Sequence, residues 1–268
     1  RKGELVQRIS ISELREISQP ASITGRSNAE HWTADLYLRK ISPYLTRLLI
    51  STRISPNGVT WLMIVTGIST GLALLIPGYK GILLALFLSQ LQMLWDCCDG
   101  ELARWKKKFS PAGIFLDTIG HYSAEATIVL MLGLRAASWP DNSLNESNFP
   151  FFGALLAIII ILNKVLNDAV HVARFFTGGS RNNDDREIGK PKSSLLSNVR
   201  SVARFFPLHK MFHSVEMTIV ISLVSAIGYL TNQENPLQLL INWALPISVV
   251  VLIGHLIAIL SSRKLIVS

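Results

Sequence analysis

Long runs without a charged residue constrain this chain more than any other feature. Val59 to Ile76 covers eighteen positions without Asp, Glu, Lys or Arg, and Leu237 to Ser262 is longer still. Only an α-helix or a closed barrel satisfies its own backbone polar groups inside a bilayer. Runs of this length, near the roughly 20 residues that span hydrocarbon, point to transmembrane helices. The whole chain fits that solvent, since 49% of its 268 residues are hydrophobic and only 16% are charged.

Six spans are expected: Val59–Ile76, Gly81–Trp95, Gly113–Leu134, Phe151–Val172, Phe212–Leu230 and Leu239–Leu260. The second is short for a bilayer, so its helix is expected to continue through Asp96 and Asp99 into the cytoplasm. Basic residues near span ends set the orientation. Arg39, Lys40, Arg47 and Arg53 precede span one; Arg104, Lys106, Lys107 and Lys108 follow span two; eight Lys and Arg separate spans four and five. Lys80 and Arg135 are the few on the other side. Both termini are therefore expected in the cytoplasm.

The net charge of +8 sits beside the spans rather than on a soluble face interleaved with aromatics. It is read as topology and contact with anionic headgroups, and nucleic acid is excluded as a partner. Cys97 and Cys98 are adjacent, on the expected reducing side, and read as small packing residues without a disulfide framework.

Around the spans, residues 1–33 form a polar segment without the apolar core of a secretory signal. The chain begins without Met, which reads as a trimmed chain or a fragment of a longer protein and leaves a further N-terminal domain an open question. Residues 34–52 form a juxtamembrane segment in which Leu36, Leu38, Ile41, Tyr44, Leu45, Leu48 and Leu49 alternate with Arg39, Lys40 and Arg47, as in an amphipathic helix lying in the interface. Pro56 follows a break at which Ser55 or Asn57 can cap the first span. Gly67 and Gly71 make a GxxxG pair, open to packing within one chain or between two. The stretch Ser194–Phe206 reads as a second interfacial segment. The fold class is all-α: a six-transmembrane-helix bundle with an N-terminal amphipathic interfacial helix, its main domain covering residues 53–268.

The chemistry lies at the second and third spans. Asp96 and Asp99 are i, i+3 on one helix, and Asp117 and His121 are i, i+4 on the next, so each pair projects from one helical face. Carboxylates at a membrane boundary are costly unless paired, hydrated or bound to metal. Hard oxygen donors in this number suit Mg²⁺, Mn²⁺ or Ca²⁺, and two ions on Asp96, Asp99 and Asp117 could clamp a diphosphate. Gly100, Ala103 and Gly113 remove bulk where a nucleotide would approach, and Arg104 adds a fixed cation for phosphate. Asp-x2-Asp alone would be read as a solvated helix end.

The pattern Asp96-x2-Asp99-Gly100-x2-Ala103-Arg104-x8-Gly113-x3-Asp117-x3-His121 resembles the signature of the CDP-alcohol phosphotransferase family, in which the last position is usually a fourth Asp. The Pro56-Asn57-x2-Thr60 start of the first span also fits. The resemblance implies an integral membrane homodimer that binds a CDP-linked donor at its cytoplasmic face. It would pass a phosphoalcohol group to an alcohol acceptor and release CMP, as in phospholipid biosynthesis. By that analogy Asp96, Asp99, Asp117 and His121 hold two Mg²⁺ or Mn²⁺ ions, and Asn57, Thr60, Gly100, Ala103, Arg104 and Gly113 border the nucleotide and its diphosphate. Lys and Arg of the 175–210 loop would meet an acidic acceptor or headgroup.

His121 leaves three readings open: the base for the acceptor hydroxyl, a structural or metal-site substitute, and the lesion of a catalytically impaired member. A neutral imidazole accepts a proton near pH 7, while replacing a carboxylate shifts the site toward softer metals. Glu125 is expected to hydrogen-bond the His121 ring, and Lys164 to pair with Asp168 at i, i+4. His255 reads as a buried hydrogen-bonding residue. An intramembrane prenyltransferase, which also holds diphosphate on Asp-rich helices, is the alternative from outside the family.

Overall fold

The computed structural model describes residues 9–20, 33–143, 147–178, 208–262 and 265. Every regular element among them is helical. In chain order these are α1 (Ile11–Ser18), a π-helical turn (Ala34–Leu38) continuing into α2 (Arg39–Ile50), α3 (Pro56–Ala73), α4 (Gly78–Lys106), α5 (Pro111–Ala136), α6 (Phe149–Phe176), a 3₁₀ turn (Leu208–Phe212), α7 (Ser214–Leu230) and α8 (Pro236–Ser261).

Each of the six expected apolar segments is helical. By length and composition α4, α6 and α8 are able to cross a membrane, and α7 is a shorter apolar helix. The chain is accordingly a membrane protein. Helix α5 carries Asp117, His121 and Glu125, and α3 is interrupted by Thr, Ser and Gly, which lowers the apolar content of both. The segment Ser194–Phe206 lies outside the described residues, as does most of the 175–210 loop.

Two Ser-Pro pairs set the starts of the helices that flank the site. Ser55 Oγ accepts from the Gly58 amide at 3.1 Å with Pro56 in the first turn, and Ser110 Oγ accepts from the Gly113 amide at 3.0 Å with Pro111 in the first turn. Each hydroxyl satisfies one orphan N–H, and proline supplies a residue that lacks one. Of the two expected caps for α3, the structure uses Ser55. Helix α4 runs uninterrupted through Asp96 to Arg104, as expected, and stops where Lys107 turns left-handed at φ 51°.

Helix α3 packs along both α4 and α5, α5 along α6, α6 along α8, and α7 along α4. The α3–α5 seam is close because it is built on glycine. A Cβ added at Gly67 would lie 2.7 Å from Ala124 Cβ, and one at Gly71 would lie 2.7 Å from the Thr127 carbonyl carbon. The GxxxG pair therefore works inside one chain. Leu74, Ile128, Leu132, Leu156, Ile221 and Ile241 form the central core, while Trp61, Phe87, Ile158, Val250 and Leu260 point outward.

The N-terminal region contains a helix that its polar composition concealed. Ser10 Oγ caps α1 through the Glu13 amide at 3.1 Å, and Leu14 is fully buried. The Ser10-x2-Glu13 spacing of a capping box marks this start in the sequence. Helix α2 turns Ser42, Pro43 and Thr46 inward and leaves Ile41, Tyr44 and Leu48 exposed. Its inward face thus sets two hydroxyls beside Leu45 and Leu49, which pack on Val59, Cys98 and Leu102.

Candidate active site

Side chains from α4 and α5 meet near the ends of these helices joined by residues 107–110. His121 Nε2 lies 3.2 Å from Asp96 Oδ1 and 3.6 Å from Asp117 Oδ1. Donor atoms of Asp96, Asp117 and His121 all lie within 4.8 Å of one another. The side chains are 13% (His121), 25% (Asp96) and 45% (Asp117) exposed, so the group is sheltered yet open on the Asp117 side. Two carboxylates and an imidazole at this separation fit a divalent cation. The mixed oxygen and nitrogen donors suit Mn²⁺ or a softer ion better than Mg²⁺, which prefers oxygen.

Asp99 stands apart from that trio. Its Oδ2 accepts a 2.6 Å hydrogen bond from Thr60 Oγ1 of α3, and it is not among the three residues whose donor atoms converge. Thr60 therefore meets a motif carboxylate in this arrangement. Asn57, also on α3, reaches the start of α5: its Nδ2 donates to Ser110 Oγ at 3.3 Å, and its Oδ1 would lie 3.0 Å from a Cβ added at Gly113. Glycine at 113 is what lets α3 and α5 close at this end.

Arg104 lies across Gly100. A Cβ at Gly100 would be 3.1 Å from Arg104 Nη1 and 3.2 Å from Nη2, so the missing side chain is space the guanidinium uses. Arg104 Nε donates to the Ser18 carbonyl of α1. Ala103 is half-buried on the Asp96 side of α4.

Two expected pairings are replaced by others. Glu125 does not bond His121; its Oε1 is 2.8 Å from Lys164 Nζ and 3.1 Å from His213 Nδ1. Lys164 consequently does not pair with Asp168, whose Oδ2 accepts from the Tyr122 hydroxyl. Both expectations used helical spacing within one element, and the partners come from neighbouring helices. His255 is half-buried rather than buried, and its Nδ1 lies 2.9 Å from Asn163 Oδ1, which gives it the expected hydrogen bond. Cys97 and Cys98 are buried free thiols.

Glu101 was not anticipated. It is fully buried and accepts from Ser42 Oγ at 2.5 Å, Thr46 Oγ1 at 2.6 Å and Gln19 Nε2 at 2.7 Å. A carboxylate inside a long apolar helix, on a different face from Asp96 and Asp99, was the available sign.

The model of the family described as CDP-alcohol phosphatidyltransferase matches residues 53–254, which takes in α3 to α7 and most of α8. No curated protein matches the chain as a relative. The matched stretch contains every motif carboxylate together with His121 and Arg104, and it covers well over half of the sequence: the chain belongs to the CDP-alcohol phosphatidyltransferase family.

Proposed function

We propose that this protein is a multi-pass membrane transferase that moves a phosphoalcohol group, of phosphatidyl type, from a CDP-linked donor to an alcohol and releases CMP, as in phospholipid biosynthesis. One observation carries the reading: Asp96, Asp117 and His121, drawn from two helices, bring their donor atoms within 4.8 Å of one another. Family membership supports the donor chemistry and sets aside the prenyltransferase alternative.

Asp96, Asp117 and His121 would hold one divalent ion, and Asp99, a turn along α4 from Asp96, would contribute to a second. Mg²⁺ or Mn²⁺ bound there supplies Lewis-acid stabilisation of the charge that develops on the diphosphate. The chain's own residues do the rest. Ala103 leaves room for the nucleotide, Gly100 and Gly113 border it by letting the Arg104 guanidinium and Asn57 come close, Thr60 adds to that border from α3, and Arg104 directs a guanidinium to the phosphates. The acceptor hydroxyl oxygen forms a bond to the donor phosphorus as the bond from that phosphorus to the CMP oxygen breaks. His121 takes the hydroxyl proton if its Nε2 is not bound to the ion, Asp96 and Asp117 then holding the metal without it, and CMP leaves with the electron pair. The basic flanks of the spans argue for six crossings with the site and both termini on the cytoplasmic side, and the protein is expected to act as a homodimer.

A second reading draws on the same imidazole. His121 Nε2 is engaged with two carboxylates, an arrangement that also suits a member that binds nucleotide without turning it over. The test places purified protein in lipid nanodiscs with Mn²⁺ or Mg²⁺, a panel of CDP-linked donors and alcohols, and follows CMP by chromatography. Release of CMP that falls about 100-fold or more in Asp96→Asn supports the transferase. CMP release from His121→Asp alone supports the impaired member. Silence in every variant rejects the transferase and removes His121 as the lesion of an impaired member.

A further inference from the structure

We infer that Glu101 and the hydroxyl-rich face of α2 form a device that keeps Arg104 available to the donor's diphosphate, with Thr46 as a positioning residue; the inference rests on the donor reading above. At about 100° per residue, Arg104 projects roughly 60° around α4 from Glu101 and about 40° from Gly100. The guanidinium therefore has two destinations. It can lean over Gly100 toward the Asp96 face, or it can close an i, i+3 ion pair with the Glu101 carboxylate. In the structure it lies over Gly100, and no Glu101–Arg104 ion pair is present among the described residues.

Neutral donors occupy the competing carboxylate. Glu101 Oε1 accepts from Ser42 and from Gln19, and Oε2 accepts from Thr46 at 2.6 Å. These donors come from α2 and from the residue that ends α1. The same end of α1 reaches Arg104 itself through the Ser18 carbonyl. Further polar contacts fix α1 on α2: Arg15 Nη2 donates to the Lys40 carbonyl at 2.9 Å, and Gln19 Nε2 to the Arg39 carbonyl at 2.7 Å. A buried carboxylate needs partners. Supplying them as hydroxyls and an amide satisfies Glu101 without spending the one cation that the motif presents to phosphate. The two buried hydroxyls of α2, Ser42 and Thr46, set among the apolar contacts of Leu45 and Leu49, follow from this role.

The experiment measures binding of CDP in the presence of Mn²⁺ to the full chain in detergent, by isothermal titration calorimetry. Thr46→Val keeps the shape of the side chain and removes the only hydrogen bond to Glu101 Oε2 among the described residues, so the carboxylate should draw Arg104 away. CDP affinity is expected to fall about tenfold, the worth of one charge-assisted hydrogen bond. Glu101→Gln placed on Thr46→Val removes the competing charge and should return the affinity to within about twofold of the unaltered protein. Gln19→Ala, with and without Glu101→Gln, repeats the comparison should Thr46→Val fail to give a monodisperse protein. A merely structural network predicts the opposite, because two lesions in it would bind CDP no better than one. The inference is overturned if Thr46→Val and Gln19→Ala both bind CDP normally, if Glu101→Gln brings no recovery, or if the protein binds no CDP at all. Protein that binds CDP but forms no product defeats the transferase reading alone, and the recovery experiment still decides this one.

Discussion

Lys164→Met should destabilise the bundle far more than Lys164→Met combined with Glu125→Met. Glu125 is 1% exposed, and its Oε1 takes both Lys164 at 2.8 Å and His213 at 3.1 Å, while its Oε2 is buried and accepts no hydrogen bond from the described residues. Removing one partner of a buried ion pair costs about 3–5 kcal/mol, because a charge is left without compensation. His213 remains on the same oxygen, which retains part of the compensation and brings the expected loss to about 2–3 kcal/mol. For a chain of this size that corresponds to a fall in Tm of about 4–12 °C. The double variant replaces the pair by apolar side chains of similar length and should lose less than about 1.5 kcal/mol. The assay is thermal unfolding in one detergent at one scan rate, since membrane proteins seldom refold after melting. A Lys164→Met shift below about 1 °C, or a double variant as unstable as the single one, would refute the claim that Lys164 neutralises Glu125.

Glycine at 71 and glycine at 254 should respond oppositely to the same change. Gly71→Ala places a Cβ 2.7 Å from the Thr127 backbone, whereas a Cβ at Gly254 meets nothing within 4 Å; the first should cost about 1–3 kcal/mol, and the second should be neutral or gain up to about 1 kcal/mol from helix propensity, both read from Tm. Thr60→Val deletes the 2.6 Å hydrogen bond to Asp99 and is expected to reduce CMP release about tenfold or more at fixed metal, with Thr60→Ser retaining most of it. Chelation by EDTA should abolish CMP release and Mn²⁺ should restore it. His121→Asp, which turns the mixed donor set into an all-oxygen one, should move the preference toward Mg²⁺, measured as the ratio of half-activating concentrations. Equal ratios before and after the change would remove His121 from the metal site.

Which parts of this protein were readable from the chain depended on the range of the interactions that specify them. The helical segments follow from uncharged runs, and their starts from local Ser-Pro chemistry at residues 55–56 and 110–111, all contained within a few positions. The motif face of α4 and that of α5 follow equally from 3.6-residue periodicity. Helix α1 was legible only through its capping box, because a mean of polar composition hides a short amphipathic stretch.

The sequence by itself determined an all-helical membrane protein with carboxylates gathered where α4 and α5 approach each other, since bilayer solvation and helix period act on neighbours along the chain. Tertiary structure alone decided which side chains meet. It set His121 between Asp96 and Asp117, gave Asp99 to Thr60, moved Glu125 from His121 to Lys164 and His213, and surrounded Glu101 with the hydroxyls of α2. A buried charge takes the partner that packing brings to it, and helix spacing within one element carries no information about what the adjacent helix presents.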